Sequence, residues 1–248
     1  MAITEANLTS GNDGSGGFVA TSTIASTAPT ANRLILAFIH SAAFQPDQID
    51  PPLSVTVAGV SMTAVANVKD TATGQCVSLW RGLSASPGSS TGTITFDETQ
   101  YYADWSVFEL AGIDTSGTNG SGAIVQSASN KDVTGSGTAA TVTLSSFGST
   151  DNGAVYGTGW TNTGSTIRTC TPDTGWSEVH DTGTTYAGAA AAAAIESQWR
   201  ASNDTSATGS WSAPGFILSI AAEIKAVAVG GGSSIAAISN YYRMLRSA

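Results

Sequence analysis

From Phe18 to Ala226 the chain repeats one pattern: a short run in which apolar and hydroxyl side chains alternate, then a cluster of Gly, Ser, Asn and Asp. A period of two sends successive side chains to opposite faces of an extended strand, and the intervening clusters supply turns. A helical bundle cannot be written this way. Composition agrees, because 28 glycines and a charged fraction of only 11% leave few of the side chains that clothe exposed helices. With 41% hydrophobic residues and six tryptophans, the chain can still bury a sizeable core.

Individual runs predict strands over Phe18–Ile24, Cys76–Arg81, Gly92–Phe96, Asp104–Leu110, Ala123–Ser129, Thr141–Leu144, Ala154–Trp160, Trp176–His180 and Phe216–Ala226. Arg33–Ser41 is almost continuously apolar, so a central strand covered on both faces is expected there. Ser54–Ala58 and Met62–Val68, flanking Gly59-Val60, predict a tight hairpin. Asp97-Glu98 are placed in a turn before Tyr101-Tyr102. Ala189–Ala194 are six consecutive alanines with high helix propensity. Their neighbours are strands, however, and alanine leaves room for tryptophans to pack above it, so a strand is favoured. The reading is all-β, an antiparallel sandwich of about a dozen strands occupying residues 1–229.

A different composition begins at Gly230. A Gly-Gly-Gly-Ser-Ser linker leads into Ile235–Ala248, where Ile235, Ile238, Tyr242 and Leu245 fall at spacings of three, four and three. On a helix these share one stripe, with Tyr241, Arg243 and Arg246 around it. A fourteen-residue helix is marginal alone and must dock, either back on its own sandwich or on a partner subunit. Residues 230–248 are therefore expected to form a partner-binding arm, and the glycine linker favours docking in trans.

Eighteen acids against nine bases give a net charge of −9, and residues 230–248 contain no acid and two of the arginines. An acidic body is poorly suited to nucleic acid or anionic lipid, which need clustered Lys and Arg. No apolar run reaches membrane-spanning length, and Met1–Leu8 has neither the basic nor the apolar segment of a secretory signal. Synthesis in a cytoplasm is expected, with Cys76 and Cys170 as free thiols.

Chemistry-bearing motifs are sparse. His40 ends an apolar strand and reads as a core or rim histidine, whereas His180 and Asp181 are adjacent and so face opposite sides of a strand. Asp104 and Glu109 also fall on opposite faces. A sandwich-fold hydrolase would need two facing carboxylates roughly 5–9 Å apart. Gly135–Ala140 resembles a dinucleotide loop but leads into a strand, where it has no helix N-terminus to hold phosphate. The oxygen-rich Asp114–Gly120 segment lacks the closing glutamate of a calcium loop. No catalytic residue, metal or cofactor is assigned.

Taken in order, Asn32–His40, the Val55–Thr63 hairpin, Val77–Leu83 with Gly92–Phe96, Trp105–Asp114 and Gly209–Lys225 resemble the jelly-roll-type sandwich of phage virion proteins. The resemblance covers residues 18–226 and carries no catalytic signature. It implies a non-enzymatic virion structural protein, such as a capsid decoration (cement) protein that binds and stabilises the assembled shell. Its partners would be the major capsid protein or other virion subunits, in a homo-oligomer for which a trimer suits a capsid lattice. The alternative is a glycan-binding module on a tail or host-recognition structure, with Tyr101, Tyr102, Trp160 and Trp176 stacking on sugars.

Overall fold

The computed structural model describes residues 2–14, 18–43, 45–186 and 191–228. The arm at 230–248, with all seven of its expected contact residues, lies outside them.

Eight strands build the first sheet: β1 (Thr4–Asp13), β2 (Val19–Thr27), β3 (Leu34–Ala43), β4 (Ser54–Val57), β5 (Val60–Ser61), β6 (Thr63–Asp70), β7 (Gln75–Gly82) and β8 (Ser90–Ala111). The remainder are β9 (Ile124–Gly137), β10 (Val142–Thr143), β11 (Gly153–Thr163), β12 (Cys170–Pro172), β13 (Ser177–Tyr186), β14 (Ala191–Arg200), β15 (Ser206–Ala207), β16 (Gly209–Trp211) and β17 (Gly215–Ile224). The second sheet runs β13-β14-β11-β17-β9, and every pairing in both sheets is antiparallel.

The long strand β8 organises the first sheet. Its C-terminal half lies between β1 and β3, its N-terminal half between β2 and β4, and β7 and β6 continue outward from β3. The sheet curls, and this gives β3 a core on each face. Leu34, Leu36 and Phe38 meet Val155, Ile195, Leu218 and Ile220 of the second sheet. Ile35, Ala37 and Ile39 meet Val55, Val57, Ile94 and Trp105 inside the curl. All ten residues of β3 are buried, which is why the segment reads as unbroken hydrophobic sequence.

The second sheet also has two cores. Its far face is covered by a thin layer holding the β10–β15 and β12–β16 pairs. Trp160 and Trp211 pack there against Ala192 and Ala194, so the alanine run is a strand as far as it is described. β6 lies beside β9 and β1 beside β13, closing both long sides of the sandwich. Lys131 of β9 bonds Asp70 of β6 at 2.8 Å, and the Asn12 amide donates to the Gly183 carbonyl at 3.0 Å.

Three expectations need correction. Asp97 and Glu98 lie within β8 and not in a turn; they belong to a register break between the Thr21↔Thr95 and Val19↔Gln100 pairs. The expected hairpin turns at Ala58 and Gly59, both with positive φ, but β5 ends after two residues, and β6 pairs instead with β7. β1 was missed because its sequence, TEANLTSGND, has almost no apolar alternation. It is recruited through backbone pairing along β8.

Candidate functional site

The space between the two sheets changes character along its length. One end is the apolar core around Phe38 and Phe108; at the other, the same strand faces carry His40, Gln75, Tyr102, Asp104 and Ser106. Register produces the cluster. His40 on β3 pairs directly with Asp104 on β8, Tyr102 follows two residues away on the same face, and Gln75 on β7 pairs with Ala42. Gly159 on β11 makes room opposite, since a Cβ there would lie 2.6 Å from the His40 ring.

His40 is fully buried, with Nδ1 3.1 Å from the Ala194 carbonyl of the opposing sheet. A carbonyl only accepts, so Nδ1 carries the proton and Nε2 is the acceptor. The Tyr102 hydroxyl donates to Nε2 at 3.0 Å. The Gln75 Oε1 lies 3.4 Å from the same nitrogen, and since two acceptors make no hydrogen bond, the tyrosine hydroxyl is the partner of Nε2. Burial pushes the His40 pKa down to about 4. The imidazole is therefore neutral at pH 7.

Asp104 is equally buried, and neither of its carboxylate oxygens has a hydrogen-bond partner among the described residues. Its Oδ2 lies 4.0 Å from His40 Nδ1. Burial raises its pKa well above the ordinary aspartate value. The favoured state of the pair is thus uncharged on both sides, because an ion pair here would have to be desolvated without supporting hydrogen bonds.

Further along, Ser106 joins the sheets by bonding Ser197 Oγ and His180 Nδ1, the latter at 2.9 Å. Sequence reading missed this Ser–His contact, which links residues 74 apart in the chain. It does not form a nucleophilic triad. Asp181 points to the far face of the strand, where it accepts from the Cys170 backbone N–H at 2.9 Å.

A second unpartnered buried acid, Glu196, sits on that far face, with Asp181 and Glu178 adding to the desolvation that raises its pKa. Asp104 and Glu196 therefore stand on opposite sides of the second sheet. The facing arrangement of a glycosidase is not what these two carboxylates make. Cys76 and Cys170 are free and buried, and burial raises both thiol pKa values, which keeps them protonated and unreactive. Among the described residues no group of three or more His, Cys, Asp or Glu could hold a metal ion.

The four aromatic residues assigned to sugar stacking do not share a surface. Tyr102 is 0%, Trp160 2% and Trp176 7% exposed. Trp160 stacks on Trp211 and donates to the Ala213 carbonyl, and Trp176 packs on Tyr156 and donates to Asp204, so both anchor the covering layer. Only Tyr101 is partly open. It stacks on Tyr186, which sequence reading did not single out, at 5.9 Å.

Comparison with protein families, with curated proteins and with solved structures finds no match to this chain.

Proposed function

We propose that the protein is a non-enzymatic structural component of a phage virion, a decoration protein of jelly-roll type that binds the assembled capsid shell through its C-terminal arm. The supporting observation is the way the body hands over to that arm. Ala226 bridges to Ile113, and the Val227 N–H donates to the Gly112 carbonyl at 2.8 Å, so the chain leaves from a fixed point at the end of β8. Nineteen further residues, without an acid and with two arginines, follow. A rigid acidic body with a tethered cationic amphipathic segment suits an accessory subunit that must hold a surface while projecting from it. The buried polar groups fit this role as ties between layers: His40 to Ala194 and Ser106 to Ser197 bridge the two sheets.

Deleting residues 230–248 should strongly reduce occupancy on purified capsids while leaving the melting temperature of the body unchanged. Equal occupancy of the truncated and full chains, measured by quantitative mass spectrometry of particles, would remove the anchoring role.

A further inference from the structure

The polar end of the inter-sheet space opens to solvent through two adjoining hollows of about 250 and 290 Å³. Their shared walls include Gln75, Thr161, Thr163 and Tyr186; Tyr101 closes one side and Phe216 the other. Each volume lies just below the roughly 300–1,000 Å³ of drug-sized small-molecule sites, which limits a ligand here to a small one.

One buried polar group in this space lacks a partner, and a second lines it beside the first. Thr161 is 4% exposed, and its hydroxyl has no hydrogen-bond partner among the described residues. Gln75 is 3% exposed and lines both hollows, where its amide is a second buried polar group. Buried polar groups of this kind are normally satisfied, and in a walled hollow a ligand can satisfy them. Small residues, Ala42, Ala43 and Ala191, keep the space open.

We propose that this end of the sandwich binds a neutral saccharide, one sugar ring lying against the Tyr101–Tyr186 wall while Thr161 and Gln75 hydrogen-bond its hydroxyls. The chemistry of the walls selects this class. Among the described residues no Asp, Glu, Lys or Arg lines either hollow, so a charged ligand would find no counter-charge from them. A purely apolar ligand would leave the Thr161 hydroxyl unsatisfied. A sugar ring presents an apolar C–H face to aromatic rings and hydroxyls at its edge, matching both. Tyr186 also stacks on the buried Tyr102 at 5.1 Å, which fixes the wall in place. This site differs from the four-aromatic arrangement expected from sequence and does not depend on the virion role.

The test is a glycan array bearing neutral and anionic glycans, probed with the full chain, followed by titration calorimetry of the best-bound neutral oligosaccharide against Thr161→Val and Tyr186→Ala. Binding to neutral glycans is expected, at least tenfold weaker in Thr161→Val, about 1.4 kcal/mol, and lost in Tyr186→Ala. Because the Thr161 hydroxyl bonds nothing among the described residues, Thr161→Val should melt no lower than the parent, which separates ligand recognition from folding. If Tyr186→Ala does not fold, Thr161→Val decides alone. No binding to neutral glycans, binding to anionic glycans only, or neutral-glycan binding of parental strength in Thr161→Val would overturn the proposal.

Discussion

Gly157→Val should lower the unfolding free energy by about 3 kcal/mol or more, beyond the usual penalty for overpacking a core. Gly157 lies on β11 against the first sheet, and a Cβ there would drive into the Phe38 ring at Cδ1, Cγ and Cε1. The ring has nowhere to go. It is fully buried and stacked on Phe108 with centroids 6.3 Å apart, so relief requires the sheets to separate. Truncating the other side, Phe38→Ala, should cost about 3–5 kcal/mol through lost burial and a cavity. Because the two sites are in contact, their effects should not add. Phe38→Leu combined with Gly157→Ala should lose less than the sum of the single variants, with a coupling of about 0.5–3 kcal/mol. Urea unfolding of the four proteins reads this directly, and Gly157→Ala as stable as the parent would show that the sheets are not in this contact.

The second large effect is a pH dependence at Asp104. Its folded-state pKa is raised by burial, so above pH ~4 the unfolded chain releases a proton that the folded protein keeps. Raising the pH therefore draws the equilibrium toward the unfolded state, by about 1.4 kcal/mol per pH unit, until the folded-state pKa is reached. His40 works in the opposite direction. Its folded pKa lies near 4, below the ordinary histidine value of 6.5, so stability from this residue rises with pH between those values. In Asp104→Asn the falling contribution disappears while that of His40 and that of Glu196 remain. The variant should accordingly gain stability relative to the parent as pH rises above about 4, a difference readable by denaturant unfolding at pH 5, 6, 7 and 8. A constant offset across that range would mean that Asp104 ionises normally in the folded protein.

How much of this was legible in the sequence depended on where a side chain's burial came from. β3 could be read as central because both of its faces are apolar, and the alanine strand could be read because small residues imply large neighbours. β1 could not, since its place is set by backbone pairing with β8 and leaves little mark on its side chains. The register break at residues 96–99 was equally silent: acids and threonines suit a turn or a strand, and tertiary pairing decided between them. His40 was read as a core or rim residue and is fully buried, but its partners Tyr102 and Ala194 come from two other strands that only the fold brings together. Trp160 and Trp176, offered as stacking platforms only in the alternative reading, are buried because a third layer covers the second sheet, and its short strands have too few residues to show a period.

Mass spectrometry and electron cryo-microscopy of virus particles purified from cells that make this chain test the proposed virion role most directly. The account predicts that the protein is present at a fixed stoichiometry to the major capsid protein, with density for the sandwich projecting from the shell surface. Particles that are complete without it, with the chain found only in the soluble lysate, would contradict the account.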